Sequence, residues 1–193
     1  MKFLSYIRDL LSGRIYYHNK LIGSNVIKLL KNVQKRPKSD FIRMWVYSCV
    51  GYIDSLFSYL LFKENSFKVN IYKLDKQKMF DAFQLLCIHF VIVFLKNKGN
   101  LAVLHQEGLD AETFMNDIFS VFNLTIDRAK YRNLDAAFPN DSPKYFVELY
   151  DEIFVNILGA PSKGSLGSSL VFAQLLTNAY TSFIKELNVD YQT

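Results

Sequence analysis

Only 8 glycines and 4 prolines interrupt 193 residues. A chain of hairpins needs turn residues every few positions, so this scarcity predicts long helices rather than a sandwich or barrel. Half the residues are apolar and 16% are aromatic, which supplies a core and argues against disorder. The spacing of the apolar residues predicts helices over 2–12, 16–35, 40–62, 76–96, 110–123, 143–158 and 165–187. The expected fold is all-α: one domain of six to seven helices around a central apolar helix at 76–96.

The breaks between these helices carry their own signals. Lys35-Arg36-Pro37-Lys38-Ser39-Asp40 is a basic interruption in which Pro37 stops one helix and Ser39 or Asp40 caps the next. It separates a basic N-terminal helical extension, 1–38, from a helical domain, 39–193. Residues 63–75 are polar around a β-like run, Phe67-Lys68-Val69-Asn70-Ile71-Tyr72, read as a short strand or extended loop. Pro139-Asn140-Asp141-Ser142-Pro143 is a second break, with Ser142 as helix cap and Pro143 in the first helical position. Beyond it, Tyr145, Phe146, Leu149, Tyr150, Ile153, Phe154, Ile157 and Leu158 recur on one helical face, with Glu148, Asp151 and Glu152 opposite. That apolar face is expected to meet the domain's own core, and the carboxylates to be solvated.

Two segments approach the length of a membrane span, 44–62 and 79–95. Asp54 interrupts the first and Asp81, Gln84 and His89 the second, so both are expected to be core helices. Residues 1–11 are amphipathic without the continuous apolar stretch of a secretory signal, and are read as an ordinary first helix.

Charge is divided unevenly. Residues 1–100 hold 17 Lys or Arg against 6 Asp or Glu, and residues 101–193 hold 6 against 12. The positive half is suited to acidic partners such as RNA, an anionic membrane face or an acidic protein. Lys28, Lys31 and Lys35 share a helical face and continue into Arg36 and Lys38, the residues expected to touch a ribosome or membrane surface.

Signatures of catalysis are missing from the sequence. No HExxH, GxSxG or Glu-x-x-His pattern occurs, and Cys49 and Cys87 do not fall at metal-ligand spacing with His18, His89 and His105. Two cysteines without CxxC spacing suit a reducing compartment. Residues 159–169 are rich in glycine and serine and lead into a helix, but Gly164 is followed by Ser165 rather than the lysine of a phosphate-binding loop, so a plain connector is expected. His89, in an apolar helix, is expected to pack in the core. Neither an enzyme nor a cofactor is expected; non-covalent binding of another protein is.

The run Phe83-Gln84-Leu85-Leu86-Cys87-Ile88-His89 resembles the F-x-L-L-x-x-H helix of the ubiquinol–cytochrome c chaperone family, with Phe83, Leu85, Leu86 and His89 in the motif positions. Tyr47-Ser48-Cys49-Val50 resembles the Y-x-x-C-V stretch of an earlier helix. Phe114-Met115-Asn116-Asp117-Ile118-Phe119 is similar to the aromatic-acidic helix that follows the histidine, and Tyr145-Phe146-Val147-Glu148-Leu149-Tyr150-Asp151-Glu152 to the family's F-Y…Y-D helix. The matches are scattered in the right order over about 44–185, without a counterpart of the family's R-E-M-G-V-x-D stretch in 123–135. The resemblance implies a helical assembly chaperone for newly made cytochrome b in respiratory complex III. It also implies a small helical partner protein and a position on the matrix side of the mitochondrial inner membrane, near the ribosome, or in the cytoplasm of a bacterium. A basic helical module for RNA or membrane, or a helical subunit of a larger complex, is the alternative.

Overall fold

The computed structural model describes residues 31, 39–62, 75–122, 143–160 and 166–191, and among these every regular element is a helix. The helices are α1 (Asp40–Phe62), α2 (Lys76–Lys96), α3 (Lys98–Gln106), α4 (Ala111–Phe122), α5 (Pro143–Tyr150) and α6 (Leu166–Tyr191), with α5 running on as a π-helical stretch, Asp151–Ile157. The all-α expectation holds. The expected helices at 2–12 and 16–35, the β-like run at 67–72, the breaks at 35–38 and 139–142 and the unmatched stretch at 123–135 lie outside the described residues, Lys31 excepted.

Each start has a local cause. The Ser39 hydroxyl accepts from the Ile42 N–H at 3.1 Å, so Ser39 caps α1 as its sequence position predicts. Asp75 caps α2, its carboxylate accepting from the Gln77 and Lys78 N–H groups at 2.7 and 3.3 Å. Asp110 does the same for α4, accepting from the Thr113 N–H at 2.7 Å and its hydroxyl at 2.9 Å. These two carboxylates each satisfy backbone donors that the first turn leaves open.

Helix α3 is absent from the sequence expectation. Asn97 explains it: its N–H closes α2 onto the Phe94 carbonyl at 3.3 Å, and its side chain opens α3 by accepting from Gly99 and Asn100. One residue is both the stop of one helix and the cap of the next, so no linker separates them.

Helix α2 lies in the middle, packed by α1, α3, α4 and the π-helical stretch, while α6 lies along α1 and α5. Twelve of its 21 residues are buried, including Phe83, Leu85, Leu86 and His89. By length and composition α2 is long and apolar enough to cross a membrane, but 67% of its most apolar window is buried against the rest of the protein. That is the all-round burial of a core helix.

Aromatic rings fill the centre. Trp45, fully buried, meets Phe94, Phe114 and Phe183 edge-on at 5.9, 5.4 and 5.3 Å between centroids, tying α1 to α2, α4 and α6. Such pairs add about 0.5–1.5 kcal/mol each beyond their buried area. A second group, Tyr150, Phe154 and Phe172, joins α5 and its π-helical extension to α6.

The helix expected at 143–158 changes register halfway. The Leu158 N–H reaches the Ile153 carbonyl at 3.0 Å, five residues back, and Gly159 ends the segment at φ +73°. Tyr145, Leu149, Tyr150, Ile153, Phe154 and Leu158 lie in the core, as the periodicity predicts, while Phe146 and Ile157 of the same expected face are half-buried.

Candidate functional site

The residues with the greatest chemical reach lie inside. The His89 Nδ1 is 2.7 Å from the Tyr145 hydroxyl, and the two rings stack with centroids 5.6 Å apart. Both side chains are buried, at 4% and 1% exposure. Loss of water from around the ring, with a smaller push from the Lys96 charge, lowers the His89 pKa from 6.5 to about 3. The imidazole is therefore neutral at ordinary pH and takes its hydrogen bond from, or gives it to, a tyrosine that no solvent reaches. The pair is a bridge between α2 and α5.

Cys49 and Cys87 are free, buried thiols on α1 and α2. Burial, and next a hydrogen bond to Cys49, raise the Cys87 thiol well above its usual range, so it is held protonated and unreactive. Gln84, also buried, donates to the Phe122 carbonyl at 2.8 Å and closes the last turn of α4. Phe83, Leu85 and Leu86 are core packing around these groups. Among the described residues no three His, Cys, Asp or Glu side chains gather closely enough to hold a metal ion.

Of the basic residues singled out in the sequence, Lys31 is exposed and helical, while Lys28, Lys35, Arg36 and Lys38 lie outside the described residues. Residues 161–165 of the glycine- and serine-rich connector do so too. Its described end is structural: Ser169 is buried, and Ser168 hydrogen-bonds the Tyr150 hydroxyl. Glu148 is exposed and Asp151 and Glu152 are half-buried, with Glu152 accepting from the Asn156 side chain at 2.6 Å.

An open concavity of about 340 Å³ lies on the surface where α1 passes α6, lined by Tyr47, Ser48, Gly51, Tyr52, Ser55 and Glu186. Its shape follows from helical spacing. Ser48, Gly51 and Ser55 repeat every three or four residues and form a shallow floor, and the two tyrosines stand on either side of it. Among the described residues, a side-chain carbon added at Gly51 would meet nothing within 4 Å, so they leave the floor open from above. Interaction with the Glu186 carboxylate across the groove, ahead of burial, raises the Tyr52 pKa. The Tyr52 ring is braced edge-on by Phe183 at 6.2 Å.

Sequence reasoning marks Tyr47 and Ser48, within the Tyr47-Ser48-Cys49-Val50 run, but not what surrounds them. In the structure the run is split: Tyr47 and Ser48 line the groove, and Cys49 and Val50 face the core. The sequence signal for the rest is a small residue, Gly51, in the middle of a 23-residue helix. Glu186 comes from the far end of the chain and carries no local signal.

The chain matches no family model, no curated protein and no solved structure.

Proposed function

We propose that this chain is a helical assembly chaperone that works by non-covalent capture of a partner protein. The observation that carries this reading is the open groove between α1 and α6, a concave, aromatic-sided surface on a helical body in which Cys49, Cys87 and His89 are enclosed. A surface of this kind recognises a side chain or a helix, not a reacting bond. The ordered resemblance to ubiquinol–cytochrome c chaperones supports newly made cytochrome b, or a small helical partner of complex III assembly, as what is captured. The basic run of residues 28–38 would then approach a ribosome or an anionic membrane at the matrix side of the inner membrane, or the corresponding surface in a bacterium.

The uneven charge favours one other reading, a basic helical module for RNA or membrane without any role in respiration. Affinity purification of the tagged chain in mild detergent, with mass spectrometry of the co-purifying material, separates the two. Cytochrome b, a small helical protein or ribosomal proteins are expected. Recovery of RNA or of an unrelated complex in their place would overturn the chaperone reading.

A further inference from the structure

We propose that the α1–α6 groove receives an arginine side chain of the partner protein, held between Tyr47 and Tyr52 with Glu186 as its counter-ion. This rests on the protein-capture reading and specifies its chemistry.

Three features of the groove converge on a cation. Glu186 is the one charged group among the lining residues, and it is exposed. Tyr52 lines the groove with that carboxylate, whose exposed oxygens can accept from an incoming group. The second feature is the pair of half-buried tyrosines on the two sides, which offer π surface to a positive group. A guanidinium suits this combination better than an ammonium, because a planar fork can lie on a ring and engage a carboxylate edge-on at once.

The third feature is Gly51. A glycine at an exposed position inside a long helix is destabilising relative to alanine. Among the described residues nothing approaches its missing side chain, so no contact among them explains the small residue. An approach from outside does: with Ser48 and Ser55 it leaves the helix backbone bare where the stem of an incoming side chain would lie. The space, about 340 Å³, is enough for such a stem and head group together. The partner is thus a protein segment that presents arginine, and the contact is expected to weaken as salt rises.

The test uses the full chain and two short helical peptides of alanine, one carrying two arginines and the other citrulline, the neutral analogue, in their place. Binding is followed by titration calorimetry at low salt. The arginine peptide is expected to bind at least about tenfold more tightly than the citrulline peptide. Glu186→Gln should remove that preference, and Gly51→Met, which fills the floor, should abolish binding while the thermal melt stays cooperative. Equal affinity for the two peptides, no binding by the unaltered chain, or unchanged binding by both variants would overturn the proposal. If the peptides fail while purification still recovers cytochrome b or its companions, this inference falls and the chaperone reading stands. If the arginine preference holds while purification returns only unrelated material, the groove chemistry stands and the client assignment falls.

Discussion

Tyr145 and Tyr52 each face a titratable partner, in opposite surroundings. Tyr145 meets His89 where neither group touches water, and Tyr52 meets Glu186 at the rim of an open groove. In the interior, desolvation dominates and drives His89 to its neutral form, so the pair acts as a polar rivet between α2 and α5. At the surface Tyr52 stands with a carboxylate that solvent, or a partner, can still reach. The lesson is that a titratable side chain gains a binding role from exposure and an accessible volume, not from its hydrogen bond. His89 draws attention in the sequence and is structural. Glu186 draws none and borders the cavity.

Substitutions can sharpen or break this contrast. The largest expected effect is at the interior pair: Tyr145→Ala should cost about 3–5 kcal/mol in denaturant unfolding, because a fully buried ring is removed and its partner is left unsatisfied. A loss below about 1 kcal/mol would mean that the α2–α5 contact is loose and that the interior and surface tyrosines are not distinct in kind.

A smaller effect is expected from acid. His89 binds a proton more readily unfolded, at 6.5, than folded, at about 3. Its contribution to stability is therefore fully present above about pH 6.5 and is lost progressively as pH falls toward 3, by up to about 4 kcal/mol. Comparing unfolding curves of the unaltered protein and His89→Gln across that window isolates this residue from the carboxylates. Parallel pH profiles would show that His89 keeps solvent access.

The smallest effect belongs to the groove floor. Gly51→Ala should stabilise the chain by about 0.5–1 kcal/mol, since the helix gains a better former and the new methyl group meets nothing. Destabilisation would show that the floor is packed from within.

The sequence shows most of this fold and little of the groove, for physical reasons that differ by element. Apolar spacing locates α1, α2, α4 and α6 because burial of one face, or of all faces for α2, imprints a helical period on the residues. Ser39 is legible as a cap because capping is local chemistry. Helix α3 is hidden because Lys98-Gly99-Asn100 reads as a turn, and only the double use of Asn97 makes a helix start there. The π-helical register at Asp151–Ile157 is hidden for another reason: a shift from four to five residues per hydrogen-bonded turn keeps nearly the same apolar residues inside. The groove depends on α6 lying along α1, and no periodicity within either helix reports that pairing. The buried histidine is placed correctly in the core by its apolar neighbours, while its partner, Tyr145, is a matter of tertiary packing.

The central claim is that partners enter at the α1–α6 groove. A photo-crosslinking amino acid placed at Ser55, on the groove floor, and in a separate variant at Ala102, exposed on α3, tests it inside the cell. A discrete covalent adduct with one partner protein is expected from position 55 and none from 102. Adducts from 102 alone, or from both positions equally, would contradict it.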